Sequence, residues 1–369
     1  MRRILLNVLI LIGLALGSAA GLLYLLPNKI SAVAWQAPNN NGFKGVFGNY
    51  ESLTPVQLIA MNGQHGPEDL AISPDGDVVV PSAQGYLLKL NVTKNQFEPW
   101  LYTGGYPLGM RYAANGELWV ADARLGLLQV STSGDISIKA NEHANQPFGF
   151  VDAVALGGDG TVYFTDASVK FSLRDYRNPD YASHYDILEH GGHGRVYAYH
   201  PTTGQTELLS SGIVFANGIA VSHDQTHLLV VETGKYRVLK IDLVGEHRGR
   251  VTSLIDNLPG FPDNLSVRPQ GGYWLGLIAP RSALLDALDS WPSVRNMIAK
   301  LPKSLQPAPE HFSHVVQLNN AGEIVLSVQD PIGSIPLTTG AVEYRDKLYI
   351  TSLSTPFVAI KSLRPSEEH

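Results

Sequence analysis

Five side chains stand out for the chemistry they could do: Glu68, Asp152, Asn217, Asp263 and Asn264. Each carries oxygen, each opens an alternating apolar stretch, and apart from the adjacent pair each belongs to a different part of the chain. Four of them sit in three tight turns: Gly66-Pro67-Glu68-Asp69-Leu70, Phe215-Ala216-Asn217-Gly218-Ile219, and Pro259-Gly260-Phe261-Pro262-Asp263-Asn264-Leu265. Rigid turn residues hold side chains in one place. Carboxylates gathered at one point repel one another unless a cation joins them, and hard oxygens of mixed carboxylate and amide type suit Ca²⁺. Any one of the five is read equally well as a turn-former, because Asp and Asn bond their own backbone in turns. Their recurrence at the same phase is what favours a shared ligand role. Asp75, Asp159 and Asp224 lie inside hairpin turns and are read as turn-formers only.

Other chemistries find little support. The chain has no cysteine, which excludes disulfides, zinc–thiolate sites and a thiol nucleophile. There is no Gly-x-Ser-x-Gly elbow, no His-Glu-x-x-His and no phosphate loop. His190, His193 and His200 are close in sequence, but two lie in a Gly-rich stretch and read as a solvated loop. A formal net charge of −6 offers no basic field to nucleic acid.

The elements that must position the five residues are legible as a repeat. Strand, two-residue turn and strand recur around Asp75-Gly76, Asn115-Gly116, Asp159-Gly160, Asp224-Gln225, Gly271-Gly272 and Ala321-Gly322. The final turn positions step by 40, 44, 65, 47 and 50 residues. Hairpin repeats of this length predict an all-β, six-bladed β-propeller, whose innermost strands crowd around one channel. The long step needs an insertion, supplied by residues 174–194. A second insertion, residues 281–312, carries apolar residues at helical spacing, with Pro292 and Pro302 limiting its helices to a few turns. A strand within residues 43–60 is expected to close the ring against strands of residues 340–363.

Residues 4–26 form a run of 23 without a charge, preceded by Arg2 and Arg3. Such a run can span a hydrocarbon core of about 30 Å. The arginines favour a cytoplasmic N-terminus, leaving the propeller on the periplasmic, lumenal or extracellular side. A cleaved signal peptide is the competing reading, but the apolar run continues beyond Ser18-Ala19-Ala20. The expected organisation is a signal anchor over 1–26, a linker over 27–42, the propeller over 43–363 and a tail over 364–369.

Further motifs give the chain a family resemblance: Pro107-Leu108-Gly109-Met110-Arg111, Tyr163-Phe164-Thr165-Asp166-Ala167-Ser168, Arg174-Asp175-Tyr176, Gly271-Gly272-Tyr273-Trp274 and Ser354-Thr355-Pro356-Phe357. With the Glu68 and Asp263 turns, they resemble the strictosidine synthase-like and adipocyte plasma membrane-associated protein family of six-bladed calcium propellers. Paraoxonases and gluconolactonases are similar at a greater distance. The resemblance implies that Glu68, Asn217 and Asp263 occupy metal-ligand positions. It implies too that Asp152 stands where those relatives carry Asn, and that Asn264 follows the metal Asp as in paraoxonases. Leu108 and Ile278 stand where paraoxonases carry active-site histidines. Thr339 or a near neighbour stands where true strictosidine synthases carry a catalytic Glu. Neither reaction is therefore carried over.

The expectation is a membrane-anchored, calcium-dependent hydrolase of esters or lactones, with Asp263 or Asp152 activating water or attacking directly. The alternative is a non-catalytic binding or scaffold propeller with structural calcium. A carbon–nitrogen-bond-forming synthase is a distant third.

Overall fold

The computed structural model describes residues 25–176 and 178–363, together with Asn7 and Gly21. The apolar run over 4–26 and the tail over 364–369 thus lie largely or wholly outside the described residues. Among the described residues no helix is long and apolar enough to cross a membrane.

Among the described residues, strands, nearly all of them antiparallel, are the predominant regular element. Three sheets are four-stranded meanders whose first strands are Pro107–Tyr112, Val151–Leu156 and Ala216–Val221. A fourth begins with Gly260–Val267 and gains the short parallel strand Glu51–Ser52 at its far edge. The eight-stranded sheet divides into two halves. One runs outward from Ala71–Ile72 to Gln96–Tyr102, and the other from Thr338–Tyr344 to Gln57–Ala60. The halves meet through the parallel pairing of Ala60 with Gln96. Gln57–Ala60 pairs antiparallel with Phe357–Ser362, so an N-terminal strand completes the last sheet.

The first strands of neighbouring sheets pack against one another in chain order. Thr339 closes the circle by donating from Oγ1 to the Glu68 carbonyl at 2.6 Å. Between the sheets lie apolar layers, such as Trp119, Phe148, Phe164 and Tyr197 in one and Leu229, Tyr236, Phe261 and Leu275 in another. Alternating apolar residues fill both faces because each sheet is covered by its neighbours on both sides.

One part of the repeat reading needs correction. The hairpin around Ala321-Gly322 joins Ser313–Leu318 to Ile324–Asp330, the outer strands of the sheet whose inner strand is Gly260–Val267. The inner hairpin of the last sheet turns instead at Arg345 and Asp346, with Tyr344 opposite Lys347. Both turn residues are left-handed, at φ 48° and 58°. Such a turn usually announces itself through Asn or Gly, and Arg-Asp hides it.

The insertions form the Pro179–Glu189 helix and the Ala283–Ala287 and Pro292–Lys300 helices. Asn178 caps the first, accepting from Asp180 N at 2.8 Å. Pro292 opens its helix, where a missing N–H costs nothing. Both insertions join the second strand of a sheet to the third, on the side from which the inner strands start.

Residues 27–42 are not a free linker. Their backbone is fastened across both insertions: Val33 N to Glu189 O at 2.8 Å, Trp35 N to Asp289 O at 3.1 Å, and Ala32 N to Asn296 Oδ1 at 2.9 Å. Ile30 is buried, and Trp35 stacks on His190 with ring centroids 3.9 Å apart. The buried Arg295 guanidinium donates to the Leu188, Val33 and Asp289 carbonyls. Polar backbone cannot be laid over a protein surface without partners, and these side chains supply them. Arg295→Met should lower stability by about 2–4 kcal/mol, since hydrogen bonds to a buried charge are lost. It should also speed hydrogen exchange at the Val33 and Trp35 amides while leaving the inner strands protected.

Candidate metal centre and its pocket

Five of the inner strands share one irregularity. Between Pro107 and Met110, Val151 and Val154, Ala216 and Ile219, Pro262 and Leu265, and Thr338 and Ala341, the inner strand carries one residue more than its partner. Such bulges break the ladder locally and re-aim side chains. The residues they release are Leu108, Asp152, Asn217, Asp263 and Thr339, each followed by a second unpaired residue. Glu68 and Asp69 hold the matching place ahead of Ala71–Ile72. The second residue is glycine where neighbouring backbones meet most closely. A Cβ on Gly218 would lie 2.6 Å from both Asp263 O and Leu265 N, and one on Gly109 would lie 2.6 Å from Ala153 Cα.

Glu68, Asp152, Asn217 and Asp263 are thereby brought to the floor of one cavity of about 290 Å³. Leu108, Phe150, Phe215, Phe261 and Ile278 form apolar walls, and Ser183, His184, Ile187, Leu285 and Lys303 from the insertions line the outer part. All four floor residues are buried. Glu68 Oε2, Asn217 Oδ1 and Asp263 Oδ1 have no hydrogen-bond partner. Burial pushes Asp263 up to about 8; the Asn217 amide opposes the shift, and the Asp69 charge adds to it. Burial also raises Glu68 and Asp152 well above the ordinary carboxylate range, reinforced by their neighbours' charges.

Orphaned buried oxygens and mutually repelling acids are what an oxygen-ligated cation would relieve. The donor set of three carboxylates and one amide therefore fits a divalent ion. Among the described residues, however, no group of three or more His, Cys, Asp or Glu side chains is close enough together to hold an ion as they stand.

Asn264, the fifth expected ligand, stands beside the floor with its amide nitrogen turned to Glu68. Its Nδ2 donates to Glu68 Oε1 at 2.6 Å and to Glu68 O at 2.9 Å, and it does not line the cavity. It positions Glu68, leaving Oε2 to face the floor. Asp69 also has a different job. It accepts from Leu70 N and Met110 N at 2.8 Å and from Arg111 Nη1 at 2.6 Å. Arg111 Nη2 reaches Leu265 O at 3.3 Å, so one guanidinium links three sheets beside the acids.

Asp159 and Asp224 behave as turn-formers, each accepting from the amide two residues on. His193 binds Glu189 at 2.6 Å and His190 is stacked and buried, so neither is a solvated loop residue. The histidine overlooked by sequence reasoning is His184. Burial lowers it to about 4, helped by the Lys303 charge and opposed by Gln306, and its Nε2 has no hydrogen-bond partner of good geometry. The signal was available: Asn178-Pro179 starts a helix that puts Ser183, His184 and Ile187 on one side.

A family profile described as strictosidine synthase matches residues 152–246, and one described as strictosidine synthase-like, N-terminal, matches residues 45–90. Protein strictosidine synthase-like 6 of Arabidopsis thaliana is 33% identical over 312 residues, covering 83% of this chain and 81% of that protein. The chain belongs to the strictosidine synthase-like family. The adipocyte plasma membrane-associated protein of Danio rerio is 35% identical over 269 residues, covering 70% of this chain and 63% of that protein. Among solved structures, a gluconolactonase from Xanthomonas campestris superimposes with TM-score 0.61 at 14% identity, covering 91% of this chain and 98% of that one. The calcium-binding protein regucalcin from Agrobacterium tumefaciens gives 0.58 at 14%, covering 84% and 94%. These likenesses establish an all-β, propeller-like fold.

Two substitutions test the electrostatics around the floor. Arg111→Met leaves Asp69 buried without its charge partner and should cost about 3–5 kcal/mol in unfolding experiments. The second concerns Asp186, a buried acid outside the floor whose oxygens lack a partner of good geometry. Burial raises it to about 7, against the pull of Ser168, His193 and Lys170. The folded chain therefore binds a proton that the unfolded chain has lost above about pH 4, so this residue's contribution falls as pH rises. Asp186→Asn should match wild type near pH 4 and gain on it by about 1.4 kcal/mol per pH unit up to about pH 7, followed by thermal unfolding across pH.

Proposed function

We propose that this chain is a membrane-anchored, six-bladed propeller that hydrolyses esters or lactones with the help of a divalent cation, Ca²⁺ by the chemistry of its donors. The observation that carries the reading is the floor itself: buried acids and an amide with unpartnered oxygens, set beneath apolar walls. Glu68, Asp152, Asn217 and Asp263 would hold the ion. Bound there, it would supply positive charge to polarise a carbonyl and stabilise the oxyanion that follows. The six four-strand groups serve as the blades that bring the ligands together.

The chain's own residues do the rest. Phe150, Phe215 and Phe261 exclude water and hold the apolar part of a substrate. Asn264 and the Thr339 hydroxyl keep Glu68 in place. Asp263 or Asp152 can accept the proton of an attacking water if its carboxylate is not fully engaged by the ion. His184, kept neutral by burial, is a second proton acceptor at the outer part of the cavity. The gluconolactonase and regucalcin likenesses support a lactone-directed, cation-dependent reading through the shared fold alone. Membrane anchoring rests on the 4–26 run and on the name of the adipocyte relative.

Leu108 and Ile278 favour a second reading, in which the cation is structural and the cavity only binds. They place apolar groups where a proton-transferring pair could have stood.

Calcium titration separates these outcomes. Wild type should turn over a chromogenic ester, lose turnover to a chelator, and melt at higher temperature as calcium rises, because a ligand that binds only the folded state stabilises it. Asp263→Asn should need roughly tenfold more calcium, since one ligand charge is lost. Asp263→Ala should be worse in both turnover and melting. Calcium-dependent melting without ester turnover would favour the binding reading. Identical melting of wild type and Asp263→Ala at every calcium level would remove the cation from the site.

A further inference from the structure

On the anchored reading of residues 4–26, the fastening of residues 29–38 sets which face of the propeller meets the membrane. The uncharged run ends at Leu26, and Ile30 is already buried in the cluster that contains Phe171, Leu173, Tyr185 and Leu188. The link between them is Pro27-Asn28-Lys29, which can span no more than roughly 10–14 Å even when fully extended. Ile30 therefore tethers the end of the apolar run to the face carrying both insertions, which is also the face where the cavity opens. The opposite face carries the hairpin turns and is a full strand length away.

That near face presents apolar groups to solvent. Leu284 is 51% exposed, Trp291 61% and Leu305 66%. Two of them are close in sequence to residues lining the cavity, Leu284 beside Leu285 and Leu305 between Lys303 and Pro307, and Trp291 stands at the corner between the two helices of the same insertion. Leu25 and Leu26 are exposed at the end of the run itself. Lys29 reaches Tyr185 Oη at 3.2 Å, and Lys303 lies over the Tyr181 ring, so two cations sit in this region on long apolar stems. Exposed Leu and Trp with flanking Lys is the composition that settles at a bilayer interface.

We infer that the mouth of the cavity docks on the bilayer, with Leu284, Trp291 and Leu305 seated among the lipids, and that the substrate is a lipophilic ester or lactone drawn from that bilayer. The inference rests on the anchored reading of residues 4–26 and on the hydrolase reading of the floor. It adds the orientation of the propeller, the residues that touch lipid and the class of substrate. A bilayer is favoured over a second copy of the chain or a partner protein because the tether brings lipid to this face whatever else is present.

The absence of native cysteine makes the test direct. Single cysteines at Leu284, Trp291 and Leu305, and at Val92 and Val244 on the opposite face, are labelled with an environment-sensitive fluorophore in the full chain, reconstituted in phosphatidylcholine vesicles. Lipids carrying a quencher near the headgroup should quench the first three at least about threefold more than the last two, as expected for side chains at the interface. Equal quenching at all five overturns the docking. Labels at 284, 291 and 305 shielded from water but untouched by lipid quencher also overturn it, in favour of a second copy or a partner protein. A chain that does not stay with the vesicles overturns docking and anchor together. Substrate class is read separately, from a short soluble ester and a long-chain ester dissolved in the vesicles. Combining Leu284→Asp, Trp291→Asp and Leu305→Asp should cut turnover of the long ester about tenfold and leave the short one unchanged. Equal loss on both overturns delivery from the bilayer. Lipid quenching without turnover of either ester leaves docking standing and sinks the hydrolase.

Discussion

Backbone packed on backbone at the axis is the constraint on which the structure depends. The inner strands converge until Gly218 lies against the Asp263–Leu265 backbone and Gly109 against Ala153. Side chains cannot occupy that contact, so the bulges turn them along the axis instead. Whatever residue stands at the released position is presented to the cavity floor or to the strand beside it. This is why four polar residues separated by dozens of positions in sequence share one small volume, and why Leu108 and Thr339 hold equivalent places without offering an anion.

The same convergence creates the electrostatic problem that the neighbouring residues answer only in part. Arg111 balances Asp69 at 2.6 Å, and Asn264 satisfies one oxygen of Glu68. Asp263 and Asp152 receive no comparable cationic partner in the floor, and burial raises both. A site built in this way is expensive to leave ionised and empty, and it becomes favourable when a cation enters. Stability and ligand binding are then two aspects of one charge arrangement.

Much of this was legible in the sequence, and the exceptions have physical causes. Hairpin turns with Asn-Gly, Asp-Gly or Gly-Gly announce themselves, and the alternating runs around Asp224-Gln225 do the same, so the inner strands from Ala71 to Val267 are legible. Arg345-Asp346 makes an equally tight turn without that signature, whereas Ala321-Gly322 shows a turn glycine on an outer hairpin. Glu68, Asp152, Asn217 and Asp263 were recognisable because they carry oxygen at one phase. The repeated grammar of site residue, small residue and apolar residue was harder to see, since Leu108-Gly109-Met110 and Thr339-Gly340-Ala341 carry no charge. For Asn264 the sequence shows which groups are present but not that the amide nitrogen points at Glu68. Residues 27–42 looked like a linker because Pro, Asn and Gly dominate; the carbonyl-binding Arg295 that fastens them is more than 250 positions away.

The strand that completes the last sheet has a consequence for biosynthesis. Gln57–Ala60 pairs with Phe357–Ser362, so one of the first strands to leave the ribosome must wait for one of the last. At roughly 5–20 residues per second, that interval is tens of seconds. Throughout it the nascent chain carries an unpaired strand at one end and an unfinished sheet at the other, each an open edge of the kind that invites pairing with another chain. A strap that holds residues 29–38 against the two insertions would keep the waiting strand near its eventual partner, limiting the volume it has to search once the final residues emerge.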